Sequence, residues 1–332
     1  MKTLTDHQLQ AFFREAAHNF DVRVPVRLFD GTRSLGTLED GDLALCGGAL
    51  PGKITAVFFP QLEWILSINE DGLQAPESPG KPLLVVGWTA ADLDCLEFVD
   101  RFFASNYRDS VYFSKREGAV LVGVSGRCGT NGDFQRMAEG KCDIELIRME
   151  QEYAVRSYSQ KGQELVAAMT GGEMSESVVQ GFVAKSERQS REDLKVVQRA
   201  SELLLAEKIP DEFWQRIADR CIACTACNLA CPTCTCFDVF DRPTSNSHTR
   251  RWRLWDSCQL EGFMREASGH NPMGQERLRT HRRIHHKLAA DVKRWGHITC
   301  YLCGRCDRVC PTGIGIVAVC REMVEEFDHD EE

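Results

Sequence analysis

A chain of 332 residues is too long for a disulfide-stapled miniprotein and long enough for two domains, each with a core of its own. The formal net charge of -9 argues against general nucleic-acid binding, and the lack of a signal peptide or of any run of about 18 apolar residues predicts a cytoplasmic protein without a membrane span. Sixteen cysteines in a reducing compartment favour metal binding or redox chemistry over a disulfide framework.

The N-terminal part, residues 1–172, predicts a mixed α/β domain. It opens with a helix, because the stretch from Thr5 to Gln8 has the form of a capping box. Six short runs rich in β-branched and apolar residues predict strands: VRVPVRLFD, ITAVFF, PLLVVGW, AVLVGVS, CDIELIRM and EYAVRSYS. The stretch ADLDCLEFVDRFFAS lies between two of these and carries apolar residues at helical spacing. Together they predict a strand, helix, strand unit.

Residues 173–210 are mostly polar with a sparse apolar stripe, and they predict one or two helices that link the halves. The C-terminal part, residues 211–332, begins with the amphipathic stretch DEFWQRIADR. Two further stretches, RWRLWDSCQLEGFMREASG and QERLRTHRRIHHKLAADVKRW, each predict a helix, with Gly269 and Gly296 as stops. We therefore expect an α+β protein, a mixed α/β N-terminal domain followed by an α-helical domain.

Two cysteine runs share one spacing. Each reads Cys-x2-Cys-x2-Cys-x3-Cys-Pro, the first from Cys221 to Pro232 and the second from Cys300 to Pro311. In two-cluster ferredoxins with this spacing, the fourth cysteine of one run ligates the cluster held by the other run. We therefore predict that the helical C-terminal part is an α-helical ferredoxin (dicluster) domain with two [4Fe-4S] clusters. One cluster is held by Cys221, Cys224, Cys227 and Cys310. The other is held by Cys300, Cys303, Cys306 and Cys231.

Structural zinc is the alternative to clusters, because CxxC pairs commonly hold zinc in a tetrahedral sulfur site. Zinc chemistry does not call for a third cysteine at the same spacing, nor for a fourth that is followed by proline. Both features occur twice in this chain, once in each run. The spacing therefore favours iron–sulfur clusters.

The motifs CPTCTCFDV, RWRLWDSCQLEGF and GHNPMGQERLRTHRRIHHK, together with the second cysteine run, give the chain a family resemblance. It resembles the dicluster iron–sulfur subunits that include the β subunit of cytoplasmic [NiFe] sulfhydrogenases and the A subunit of anaerobic sulfite reductases. The resemblance extends more weakly to PLLVVGWTAADLDCLEFVDRFF and REGAVLVGVSGRCG. It implies an electron-transfer role between a metal-containing catalytic subunit, for which we favour a [NiFe] hydrogenase, and a flavin/NAD(P)-type subunit.

Two alternatives stand beside the hydrogenase relay: the A subunit of an anaerobic sulfite reductase, and a subunit that is itself a catalytic cluster-based reductase. The sequence favours a non-catalytic relay, because cysteines fill all eight ligand positions and the N-terminal half carries no acid–base or nucleophile constellation. The glycine-rich stretch GVSGRCGTNGDF lacks the order of a dinucleotide or phosphate loop. Flavin or NAD(P) is therefore expected on another subunit.

Members of the family often carry Pro-Cys-Asp where this chain has Ala90-Ala91-Asp92, and further cysteines after the strand that matches VLVGVS. If those cysteines build an additional metal site, this chain lacks it. We expect the remaining cysteines of the N-terminal half to be ordinary buried thiols, since free cysteine behaves as a small hydrophobe. These are Cys46, Cys95, Cys128 and Cys142.

Three cysteines near the first run, Cys234, Cys236 and Cys258, either line the clusters or ligate a third one. We favour lining, because three thiols make an incomplete cubane site and nearby sulfurs alter a cluster's surroundings. The histidines at 281, 285 and 286 lack the Glu of a metalloprotease motif and are expected at the surface or at an interface.

A basic segment lies between Asp241 and Arg294, with twelve Lys or Arg against six Asp or Glu. Three interpretations remain open: a solvated surface, a docking face for an acidic partner, and a positive field around buried anionic clusters.

Overall fold

A computed structural model describes residues 1–76, 80–183 and 191–328. The strands of this part of the chain are β1 (Lys2–Leu4), β2 (Asp21–Arg27), β3 (Arg33–Gly36), β4 (Asp42–Leu43), β5 (Leu62–Asn69), β6 (Gly72–Gln74), β7 (Leu83–Trp88), β8 (Val120–Gly126), β9 (Ile144–Arg148), β10 (Tyr153–Ser157), β11 (Gly172–Glu173), β12 (Phe237–Ser245) and β13 (His248–Trp255). The α-helices are α1 (Asp6–Ala16), α2 (Ala90–Ala104), α3 (Ser110–Arg116), α4 (Gln160–Ala168), α5 (Glu176–Val183), α6 (Arg191–Leu205), α7 (Asp211–Asp219), α8 (Ala226–Leu229), α9 (Glu276–His285), α10 (Asp291–Trp295), α11 (Arg305–Val309) and α12 (Ile316–Phe327). None of these helices is long and apolar enough to span a bilayer.

The chain divides into two compact units, and one segment from early in the sequence belongs to the second unit. The first unit contains Met1–Phe59 and Ala75–Gln189, and the second contains Pro60–Gln74 and Ser190–Glu332. Strands β5 and β6 therefore belong to the second unit, although they lie early in the sequence. The predicted division into residues 1–172, 173–210 and 211–332 uses consecutive segments, so it places these two strands in the N-terminal domain.

A mixed sheet forms the first unit, in the order β11-β1-β10-β9-β8-β7-β2-β3, with β4 also beside β2. Its central strands β2, β7, β8 and β9 run parallel, and the outer pairs are antiparallel. Every residue of β8 is buried, which explains its unbroken run of small and apolar side chains. The mixed α/β character predicted for the N-terminal half is confirmed.

Several predicted elements of the first unit are present as expected, and one is wrong. Thr5 and Gln8 form a reciprocal capping box at the start of α1, and ADLDCLEFVDRFFAS contains α2. The run ITAVFF, in contrast, contains a 3-10 helix at Ile54–Val57 instead of a strand. Its apolar residues contribute to the core although the run is not paired as a strand. In so short a run, the spacing of apolar residues cannot distinguish a helix from a strand.

A disulfide joins Cys46 and Cys128, which are 82 residues apart in the sequence. The expectation that these two are ordinary thiols is therefore wrong. Their meeting depends on the sheet, because Cys46 follows β4 while Cys128 follows the buried strand β8. Cys95 and Cys142 are buried and take no part in a disulfide, as predicted.

The second unit packs helices around an apolar core that includes Val197, Ile284, Leu288, Val319 and Met323. It also contains a four-stranded antiparallel sheet in the order β12-β13-β5-β6. The helix predicted for RWRLWDSCQLEGFMREASG is thus wrong, since its first five residues belong to β13 and a short 3-10 helix follows at Glu261–Met264. Pairing on both sides, with β12 and β5, overrides the helical spacing of its apolar residues.

The second predicted helix of this region is confirmed. The stretch QERLRTHRRIHHKLAADVKRW forms α9, a π-helical turn at His286–Ala290 and α10. It ends at Gly296, whose φ of 84° is a left-handed conformation suited to glycine. The predicted linking helices correspond to α5 and α6, and residues 184–190 between them lie outside the described residues. Helix α7 covers the predicted amphipathic stretch DEFWQRIADR.

Candidate metal centre

The two cysteine runs form loops of the same backbone shape. In the first run Ala223 and Thr225 have φ values of 51° and 62°, and in the second run Leu302 and Gly304 have values of 55° and 70°. These positions are equivalent, since each pair flanks the second cysteine of its run. Left-handed backbone is costly for residues other than glycine, so the surrounding fold must hold three of these four positions in place.

Each loop leads into a short helix that carries the third cysteine. Cys227 lies in α8 and Cys306 lies in α11, and these two helices pack against each other. The fourth cysteines, Cys231 and Cys310, follow directly after the helices. Packing of α8 on α11 therefore brings the two runs together, although about 70 residues of chain separate them.

A cavity that opens to solvent lies at the first run, and its walls include Cys221, Cys224, Cys227 and Cys310. These are the four residues predicted to hold one cluster, and Cys310 comes from the other run. The donor set fits the group, because thiolates are the ligands that hold iron–sulfur clusters. The structure thus brings the predicted set together, and its role as a ligand set remains a prediction.

The second predicted set, Cys231, Cys300, Cys303 and Cys306, also gathers in one region. Burial raises the pKa of Cys300 to about 12, and the charges of Cys231 and Cys303 add to this effect. Burial likewise raises the pKa of Cys306, with further contributions from Asp307, Cys231 and Cys300. Thiols this reluctant to ionise need a metal or a cation nearby to become thiolates.

Three of the remaining cysteines lie beside the predicted ligands. Cys234 shares a hydrogen bond with Cys231, and Cys236 shares one with Cys258. Asn228 donates its Nδ2 to Cys258 Sγ at 3.1 Å. Cys258 lies in a loop after β13, not on a helix as predicted. Among the residues that the structure describes, no three His, Cys, Asp or Glu side chains are arranged to hold a single metal ion.

Two cations of the basic segment, whose burial the sequence did not predict, lie beside the cysteines. Arg283 of α9 is 4% exposed and lines the cavity of the first run, while Lys287 of the π-helical turn is 5% exposed. They recur with Arg279 at four-residue intervals, next to the apolar stripe of Ile284 and Leu288. This periodicity within the basic segment is the sequence signal that could have revealed them.

The basic segment is therefore not a uniformly solvated surface. Arg253, Arg279, Arg283 and Lys287 are all buried, whereas the side chain of Arg251 is 41% exposed and pairs with Asp241. The interpretation as a positive field around the cysteines fits Arg283 and Lys287. A docking role for the accessible part of the segment stays a prediction.

The histidines of α9 and the following turn are half-buried. His281 packs on Trp214 of α7 and on His285, with ring centroids 4.7 and 4.9 Å apart. Burial and the neighbouring His285 lower the pKa of His281 to about 4. His286 Nε2 lies 3.4 Å from Asp291 Oδ1. These contacts are structural.

Comparison with known families identifies this region of the second unit. The family model of the 4Fe-4S dicluster domain matches residues 220–314. The chain carries a 4Fe-4S dicluster domain. Sulfhydrogenase 2 subunit beta from Pyrococcus furiosus is 28% identical to it over 273 residues, which is 79% of each chain. No solved structure matches the chain. The resemblance predicted from the motifs is thereby confirmed.

The matched residues contain every cysteine of the second unit except Cys320. The match covers both runs, from Cys221 to Cys310, and the whole basic segment between them. Iron–sulfur binding and a role in electron transfer are therefore properties of this chain. An iron–sulfur cluster supplies one-electron transfer, and the potential at which it does so depends on its charge, hydrogen bonds and solvent exposure.

Proposed function

We propose that the protein is a non-catalytic electron-transfer subunit with two [4Fe-4S] clusters, which relays electrons between the metal-containing catalytic subunit of a [NiFe] hydrogenase and a flavin/NAD(P)-type subunit. The observation that carries the relay is the cavity in which Cys310 of the second run joins Cys221, Cys224 and Cys227 of the first. If the fourth cysteine of each run ligates the cluster held by the other run, the two clusters lie close together, as electron transfer between them requires.

The residues of this chain have distinct parts in such a relay. Cys221, Cys224, Cys227 and Cys310 would hold one cluster, and Cys300, Cys303, Cys306 and Cys231 the other. The left-handed loops fix the first three sulfurs of each run, and packing of α8 on α11 fixes the fourth. Cys234, Cys236 and Cys258 would line these sites. The first unit would serve to anchor the relay in its complex.

The similarity to sulfhydrogenase 2 subunit beta supports a hydrogenase as the catalytic partner. Anaerobic purification of the native complex, followed by metal and cofactor analysis, tests this. We expect nickel and flavin on co-purifying subunits. Sirohaem without nickel would instead support the sulfite reductase alternative, and hydrogen oxidation or sulfite reduction by the isolated chain would support a catalytic role.

Iron and acid-labile sulfide analysis of the anaerobically purified chain tests the cluster count. We expect about eight of each per chain, because two cubanes contain four irons and four sulfides each. About twelve irons would instead indicate a third cluster at Cys234, Cys236 and Cys258. Stoichiometric zinc without iron would refute the proposal.

A further inference from the structure

Two positive charges are buried on one face of the helix that runs behind the cysteines. Arg283 and Lys287 are four residues apart, so they lie one above the other on α9 and its π-helical continuation. Both are almost inaccessible to water, at 4% and 5% exposure. Burying a charge is expensive unless an opposite charge or strong hydrogen bonds compensate for it. Their surroundings must supply that compensation.

Arg283 is placed at the first set of cysteines. Its guanidinium lines the cavity with Cys221, Cys224, Cys227 and Cys310, and Nη2 donates to the carbonyl of Ile314 at 2.5 Å. The amide of Ile314 in turn lies 3.4 Å from Cys310 Sγ. Burial opposes the charge of Arg283, while the sulfurs of Cys227, Cys306, Cys234 and Cys221 raise the pKa of the guanidinium. Arg283 therefore acts on the first site through Cys227 and Cys221 and also reaches Cys306 of the second.

Lys287 is placed at the second set. Its Nζ donates to Thr233 Oγ1 at 2.6 Å, and that hydroxyl lies 3.4 Å from Cys231 Sγ. Thr233 Oγ1 also donates to the carbonyl of Thr299, the residue before Cys300. Burial opposes the ammonium charge, whereas Cys231, Cys234, Cys300 and Asp291 raise its pKa. Asp291 itself accepts a hydrogen bond from Thr299 Oγ1 at 2.5 Å.

We propose that Arg283 and Lys287 are positioning residues that set the reduction potentials of the two cluster sites, Arg283 mainly for the site with Cys310 and Lys287 mainly for the site with Cys231. This inference rests on the proposed two-cluster relay. On reduction one electron enters a cluster, no bond forms or breaks, and the site becomes one unit more negative. A buried cation stabilises the more negative state, because little water is present to screen the interaction.

The test compares Arg283→Met and Lys287→Met with the wild type in anaerobic redox titrations followed by electron paramagnetic resonance. Each variant should lower the midpoint potential of one cluster signal more than that of the other, and the larger shift should fall on different signals in the two variants. We expect at least a tenfold change in the reduction equilibrium, or about 59 mV for a one-electron couple. Arg282→Met is the matched control, since Arg282 lies on the same helix but is only partly buried.

Charge-conserving variants separate electrostatics from packing. Arg283→Lys should keep a potential near that of the wild type, while Arg283→Gln, which also keeps a donor for the Ile314 carbonyl, should lower it. This pair gives the answer even if the methionine variant does not assemble. Equal potentials for Arg283→Lys and Arg283→Gln would overturn the inference, as would a shift of both signals by the control.

Failure of this inference is distinguishable from failure of the relay. Iron content and the number of paramagnetic signals test the clusters themselves, whatever their potentials. Full iron loading with unmoved potentials would overturn only the role of Arg283 and Lys287. Lack of iron in the wild-type chain would overturn the proposed function first.

Discussion

The ion pair between Arg253 and Glu63 joins β13 to the early hairpin, and its removal should weaken the second unit. Arg253 Nη2 lies 2.5 Å from Glu63 Oε2, and the side chains are 2% and 8% exposed. The variant Glu63→Gln removes the charge and keeps the shape. Loss of one partner of a buried pair costs about 3–5 kcal/mol, because the remaining charge stays buried. For a unit of 150–250 residues, this corresponds to a Tm lower by about 6–20 °C.

Differential scanning calorimetry of the anaerobic holoprotein measures this change, with the visible absorbance of the clusters identifying the transition of the second unit. Asp241→Asn is the matched control, because Asp241 pairs with Arg251 in the same sheet but the two side chains are 43% and 41% exposed. Exposed pairs contribute little, so the control should melt as the wild type does. The double variant Glu63→Leu/Arg253→Met should recover most of the loss. A Glu63→Gln transition within about 2 °C of the wild type would refute this reasoning.

Two further outcomes are expected. Cys310→Ser should perturb the paramagnetic signal of the cluster assigned to Cys221, Cys224 and Cys227, since the structure places Cys310 on their cavity; selective loss of the other signal would show that the ligand assignment is wrong. Acid should destabilise the protein through His281, whose folded pKa of about 4 lies below the unfolded value of about 6.5. The unfolded state binds the proton first, so this contribution is present above pH 6.5 and is lost as the pH falls towards 4. In His281→Gln, urea denaturation from pH 7 to 4.5 should show a shallower fall in stability, and an unchanged slope would contradict the assigned role.

Local signals in the sequence predicted well where the interaction itself is local. The capping box at Thr5, the helix α2 and the glycine stop at Gly296 depend on neighbouring residues, and the structure contains them. The spacing within each cysteine run is local in the same sense, and the ligand sets inferred from it stay predictions. These features could be predicted from a single sequence.

Features that depend on distant pairing could not be predicted. The disulfide between Cys46 and Cys128 requires the sheet topology of the first unit, and β13 is a strand because β5 lies beside it. Arg283 and Lys287 look like part of a solvated charge run until the helix face is known. Only their recurrence with Ile284 and Leu288 indicates that this face is buried.

The β5–β6 hairpin lies far in sequence from the rest of the second unit, which has a consequence for synthesis on the ribosome. Its pairing partner β13 begins at His248, so nearly two hundred residues emerge between the hairpin and the end of that strand. Since synthesis proceeds at about 5–20 residues per second, the edge of the hairpin stays unpaired for roughly 10–40 s. Unpaired edges invite wrong association, and Leu62 and Leu73 are exposed even in the finished fold. Protection of the nascent hairpin by a chaperone during this interval should therefore determine how much of the chain matures.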